Sequence, residues 1–151
     1  MNYIKEAENY LNHYKDLYFS IKIMEKQLDK IIKDAGPKDI SSTQINDSGV
    51  RTAINQDEAI NTLFKIKTLK ENITETKKKL EEIDEILTDL KNDPESKIYA
   101  DILRMWYIEG KSTPDILREV GYSERQFFNI KKEAIRIFAV RILGIKALEV
   151  C

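Results

Sequence analysis

The stretch from Ser123 to Arg136 has the most to offer a ligand. Ser123-Glu124-Arg125-Gln126 has the S-x-x-Q spacing of a capping box, in which the first and fourth residues satisfy each other's exposed amides and open a helix. That helix is predicted to run to about Leu143. Phe127, Ile130, Ala134, Ile135 and Phe138 share one of its faces and are expected to pack inward. Glu124, Arg125, Phe128, Asn129, Lys131, Lys132 and Arg136 are left outside. These are residues that read nucleic acid: Arg bonds guanine through two donors, and Asn does the same with adenine. Lys131, Lys132 and Arg136 suit phosphates, which supply affinity rather than sequence choice. Phe128 fits two roles equally, a contact with a thymine methyl or sugar, or a seat beneath a neighbouring helix.

The elements that position these residues lie just upstream. Ile98, Ile102, Leu103, Trp106 and Tyr107 mark a helix that Gly110 ends. Ser112 or Thr113 is placed to cap the next helix, and Pro114 fits its first turn, where no amide is needed. That helix is short, Asp115–Glu119, and Val120-Gly121-Tyr122 forms the turn, with Gly121 free to take positive φ. Helix, short helix, glycine turn and capped helix is a helix-turn-helix order. In such a unit the second helix lies in the major groove and its first turns meet base edges. Thr113, Ser123 and Gln126 therefore join the exposed set as candidate DNA contacts. From Tyr122 to Cys151, six bases face three acids, a net +3, while the rest of the chain carries −4. A near-neutral total of −1 thus conceals a basic end on an acidic stem.

Residues 107–139 (YIEGKSTPDILREVGYSERQFFNIKKEAIRIFA) resemble the C-terminal module of ArpU/RinA-type phage regulators, which is itself similar to region 4 of sigma factors. The shared marks are Ser123 before the recognition helix, Lys132-Glu133-Ala134 within it, and Phe138-Ala139 with Gly144 near its end. By motif the resemblance covers about Tyr107–Gly144; by layout it covers most of the chain. It implies a DNA-binding activator of late phage genes, acting upstream of the packaging and morphogenesis operon. It also implies that Glu124, Arg125, Phe128 and Asn129 fall where sigma-like modules touch bases. The chain departs from the pattern at Leu117, where many helix-turn-helix units have Ala. A larger side chain there pushes the two helices apart or demands a smaller partner.

The stem reads as two long helices. From Asn2 to Ala35, apolar residues from Ile4 through Leu11, Tyr14, Ile21 and Leu28 to Ile32 recur mostly at steps of three and four, one face of a helix. Gly36-Pro37 is expected to stop it. Lys38–Arg51 then reads as a loop, long enough to be mobile or functional. A second helix is expected from about Asn55 to Asn92. Its seam, Ile66, Leu69, Ile73, Thr76, Leu80, Ile83, Leu87 and Leu90, is a heptad pattern with one polar position. It pairs either within the chain or with a second chain, and self-association as a dimer is the expectation. Asn92-Asp93-Pro94 breaks the helix. The expected architecture is therefore all-α. A coiled-coil-like helical hairpin, residues 1–93 with a loop at 36–54, carries a sigma-like helix-turn-helix domain, residues 94–151. A symmetric dimer would read half-sites roughly 34 Å apart or at multiples of that spacing.

Other chemistry finds no footing. The single cysteine, Cys151, excludes an internal disulfide and a cysteine zinc cluster. The single histidine, His13, gives no basis for a histidine metal site or triad, and it is expected to be exposed. There is no glycine-rich phosphate loop, H-E-x-x-H or calcium-loop pattern. Neither catalysis, a cofactor nor a metal is expected. No run of 18 apolar residues occurs and the start is too charged for a signal peptide, so a cytoplasmic setting without membrane contact is expected. The expected partners are double-stranded DNA and host RNA polymerase. Two other functions remain compatible with the residues: a small terminase subunit that binds packaging DNA as a ring, and a protein-binding adaptor or anti-activator.

Overall fold

The computed structural model describes residues 2–43 and 49–149, and the side chains within 2–35 and 56–149. It is all-helical, with no strand among the described residues. The α-helices are α1 (Tyr3–Asn12), α2 (Tyr14–Thr43), α3 (Gly49–Asn92), α4 (Lys97–Leu103), α5 (Thr113–Val120) and α6 (Glu124–Leu143). A π-helical turn, Arg104–Ile108, follows α4, and a 3₁₀ turn, Gly144–Leu148, follows α6. Among the described residues no helix is long and apolar enough to cross a membrane.

Several boundaries differ from those read in the sequence. The first long helix divides at His13, whose φ of −102° and ψ of 11° depart from helical values. Hydrogen bonds continue past that residue, from His13 N to Asn9 O at 3.0 Å and from Leu17 N to His13 O at 2.8 Å. Gly36 and Pro37 do not stop α2, which extends to Thr43. Proline has a helix-compatible φ and removes one backbone bond, a defect that a 30-residue helix can absorb. The loop expected at 36–54 is narrowed in the same way, because α3 begins at Gly49. Its central residues 44–48, like Cys151, lie outside the described residues.

The chain forms two compact units, one of residues 1–17 with 79–151 and one of residues 18–78. This division differs from the cut expected at Asp93-Pro94. The reason is packing: Ala7 and Leu11 of α1, Ile83 and Leu87 of α3, Leu103, and Ala134, Ile135, Phe138 and Ala139 of α6 share one core. Truncating a fully buried phenylalanine such as Phe138 in that core costs roughly 3–5 kcal/mol. Ala147 closes the same core from the 3₁₀ turn, whereas Ile145 and Leu148 of the apolar tail stay exposed.

The α3 seam is therefore consumed at home. Leu80, Ile83, Leu87 and Leu90 are buried within this one chain, as is Ile73 in the other unit, while Ile66 and Leu69 are half-buried. An apolar seam buries against whatever is tethered nearest, and in the first unit α1 and α6 supply that surface. Tyrosines trim its rim: Tyr14 Oη donates to Asp84 at 2.7 Å, and the Lys79 ammonium lies 5.1 Å from the Tyr10 ring centroid. In the second unit Glu25 pairs with Lys77 at 3.1 Å, and Gln27 and Ile31 line a cleft with Leu69 and Asn72. Partner numbers on α3 fall as those on α2 rise.

Candidate nucleic-acid interface

Three local devices present the N-terminal half of α6. The first is the cap. Ser123 Oγ accepts from Gln126 N at 3.2 Å, and Gln126 Oε1 accepts from Ser123 N at 3.1 Å. Both halves of the capping box are present, so the Gln126 side chain is engaged at the helix start. The second is the turn. Gly121 sits at φ +74° and donates its amide to Leu117 O at 2.9 Å, closing α5 in a left-handed C-cap. A Cβ there would meet nothing within 4 Å, so glycine is required by backbone conformation and not by space.

The third device is a small core of its own. Ile102, Met105, Ile116 and Phe127 are buried together, with Trp106, Leu117, Val120 and Ile130 packed against them. Leu117 is accommodated at the edge of this cluster. A π turn runs through this segment: Glu109 N donates to Arg104 O at 2.7 Å, spanning five residues. Leu103 joins the first core and Met105, two residues on and so on the opposite side of the helix, joins the second. Trp106 stacks at a tilt on Phe127 with centroids 5.9 Å apart. Ser112, rather than Thr113, caps α5 by accepting from Asp115 N at 3.4 Å, and Thr113 is half-buried. The Ser112 hydrogen bond, with Arg118 beside it, holds the Asp115 carboxyl below its usual range. Lys111 bridges Glu119 at 2.6 Å and Glu109 at 3.4 Å, pinning the connection to α5.

On this frame the expected residues divide. Arg125, Asn129, Lys132 and Arg136 are exposed and follow one another at steps of four, three and four. They form a single ridge about 16 Å long at 1.5 Å per residue, on the face opposite Phe127, Ala134 and Phe138. Arg125, Asn129 and Lys132 make no ion pair or side-chain hydrogen bond among the described residues, and Arg136 has only a loose 3.8 Å approach to Glu133. Glu124 is exposed in the first turn.

Lys131 does not belong to the ridge. Its ammonium sits 3.9 Å from the Trp106 ring centroid and within 6 Å of the Tyr107 and Phe128 centroids. Burial lowers its pKa, with Glu8 acting in the opposite direction. It stands one turn after buried Phe127, on the inward side of α6, so its assignment to the exposed set is corrected by the helical spacing as well as by the Trp106 contact. Phe128 is 42% exposed, and its ring meets that of Phe127 on the same helix edge-on at 5.1 Å. Tyr107, half-buried, donates to Glu8 at 2.5 Å and ties the π turn to α1. No motif marked that pair, since 99 positions separate its members. Among the described residues no group of three or more His, Cys, Asp or Glu is arranged to hold a metal.

A family model matches residues 38–139, all of α3 and the whole α6 ridge. The chain belongs to the family described as protein of unknown function (DUF1492). No curated protein and no solved structure matches the chain. The DUF1492 match ends inside α6 and omits α1, although α1 supplies Ala7 and Leu11 to the core behind the ridge.

Proposed function

We propose that this chain is a sequence-specific double-stranded DNA-binding protein that regulates transcription, with α5, the Gly121 turn and α6 acting as a helix-turn-helix. One observation carries the reading: Arg125, Asn129, Lys132 and Arg136 form an exposed ridge opposite a buried face, on a helix whose start is held by a capping box. A groove reader needs that combination of rigidity and free donors. Arg125 and Asn129, near the helix start, are assigned to base edges. Lys132 and Arg136 are assigned to phosphates. Lys131 acts indirectly, by fastening α6 to Trp106. The regulatory role, activation of late phage genes with host RNA polymerase as a second partner, rests on the resemblance of residues 107–139 to ArpU/RinA-type modules.

Selection of the full chain against a random duplex pool tests the binding. The expected outcome is enrichment of one motif and an affinity that falls steeply with salt. Failure to retain any duplex at low salt would favour a protein-binding adaptor. Immunoprecipitation with DNA from the native host tests the regulatory role, with recovery expected upstream of packaging and morphogenesis genes.

A further inference from the structure

In the second unit α3 carries three of the most exposed large apolar side chains of the described residues: Ile60 at 62%, Leu63 at 65% and Phe64 at 68%. Ile60 and Leu63 lie clear of the cleft between α2 and α3, whereas Phe64 stands at its rim with Gln27, Ile31, Leu69 and Asn72. Adjacent exposed apolar side chains of this size mark an interaction surface more often than they mark solvent. Charges flank the patch in a particular order. Asp57 lies three residues before Ile60, and Lys67 lies three residues after Phe64. Both are exposed, and neither has an ion-pair partner among the described residues.

This pattern is symmetric about position 62. If two such helices cross antiparallel at that level, Ile60 of each meets Phe64 of the other, and Asp57 of each meets Lys67 of the other. A two-fold interface requires a patch that is complementary to itself under exchange. An acid at one end, a base at the other and apolar residues between meet that requirement. The stripe from Asp57 to Lys67 is about 15 Å long at 1.5 Å per residue, enough for about three helical turns of contact.

We propose that the stripe Asp57–Ile60–Leu63–Phe64–Lys67 is an isologous dimer interface, its occupant a second copy of this chain. The seam from Ile66 to Leu90 packs within the chain, and self-association uses the more exposed stripe beside it, which meets the α2–α3 cleft at Phe64. The proposal is independent of the DNA-binding reading, and its readout involves no DNA.

Sedimentation velocity of the full chain over a range of concentrations tests it. Wild type is expected to show a reversible monomer–dimer equilibrium, and Phe64→Asp to remain monomeric. Lys67→Glu and Asp57→Lys each turn both cross-pairs into like-charge contacts, so each should raise the dissociation constant roughly tenfold. The double variant D57K/K67E restores both pairs in reversed polarity and should return to within about threefold of wild type. All the substituted positions are exposed, so helicity by circular dichroism should be unchanged. The proposal is overturned by a wild type that stays monomeric throughout, by a dimer that survives Phe64→Asp, by an assembly larger than two, or by a double variant no tighter than the singles.

Discussion

The Lys131 ammonium lies 3.9 Å from the centroid of the Trp106 ring, which binds the middle of α6 to the π turn that precedes α5. A cation held over an indole face is worth about 0.5–2 kcal/mol according to its desolvation. The residue that follows, Lys132, is free and exposed. Two adjacent lysines thus have different work, one in fastening the helix and one on its open ridge.

That difference is measurable. Lys132→Ala should weaken binding to all duplex sequences and reduce the logarithmic salt slope by about 1, with the melting temperature unchanged. Lys131→Ala should lower the melting temperature and leave the slope intact. Salt titrations by fluorescence anisotropy, paired with thermal melts, check both. Equal slope changes for the two variants would return Lys131 to the phosphate contacts.

Asn129 stands on the ridge one turn beyond Arg125. Asn129→Ala should cost roughly 1–3 kcal/mol on the selected site and relax one base position. Repeating the duplex selection with the variant reads this directly. An unaltered motif would remove Asn129 from direct base readout.

The cap predicts a stability effect with a defined origin. Ser123→Ala removes the acceptor for Gln126 N and should cost about 1 kcal/mol in urea denaturation. Ser123→Asp preserves an acceptor and should recover most of that loss. A variant Ser123→Ala as stable as wild type would mean that water replaces the cap at no cost.

Tyr107 makes alkaline stability informative. Its pKa is raised, chiefly by burial and then by the hydrogen bond to Glu8 and that residue's negative charge. The native state therefore retains a proton that the unfolded chain releases near the ordinary tyrosine value of about 10. Above that pH the unfolded state binds fewer protons, so stability falls as pH rises. Tyr107→Phe should flatten this decline, measured as denaturation midpoints between pH 8 and about 11. It should also lower stability near neutrality, because Glu8 loses its donor.

Much of the fold was legible in local patterns. The Ser123–Gln126 cap, the positive φ of Gly121, the buried line from Phe127 to Phe138 and the seam on α3 all follow from spacing along one helix or turn. Gly36-Pro37 misled because a breaker pair reports a local backbone cost, which a long helix can tolerate. The seam residues Leu80, Ile83, Leu87 and Leu90 were legible as buried, but not their partner, and they are buried within the single chain. A heptad states that a face will be buried, but not which surface buries it.

By itself, then, the sequence determined that the chain is helical, where α6 starts, and which of its faces is apolar, since these depend on neighbours within about four residues. Only the tertiary structure decided that Trp106 receives the Lys131 ammonium, that Tyr107 reaches back to Glu8, and that α1 and α6 occupy the lower seam of α3. Those outcomes depend on residues brought together from far along the chain, and side-chain periodicity carries no information about which distant surface will arrive.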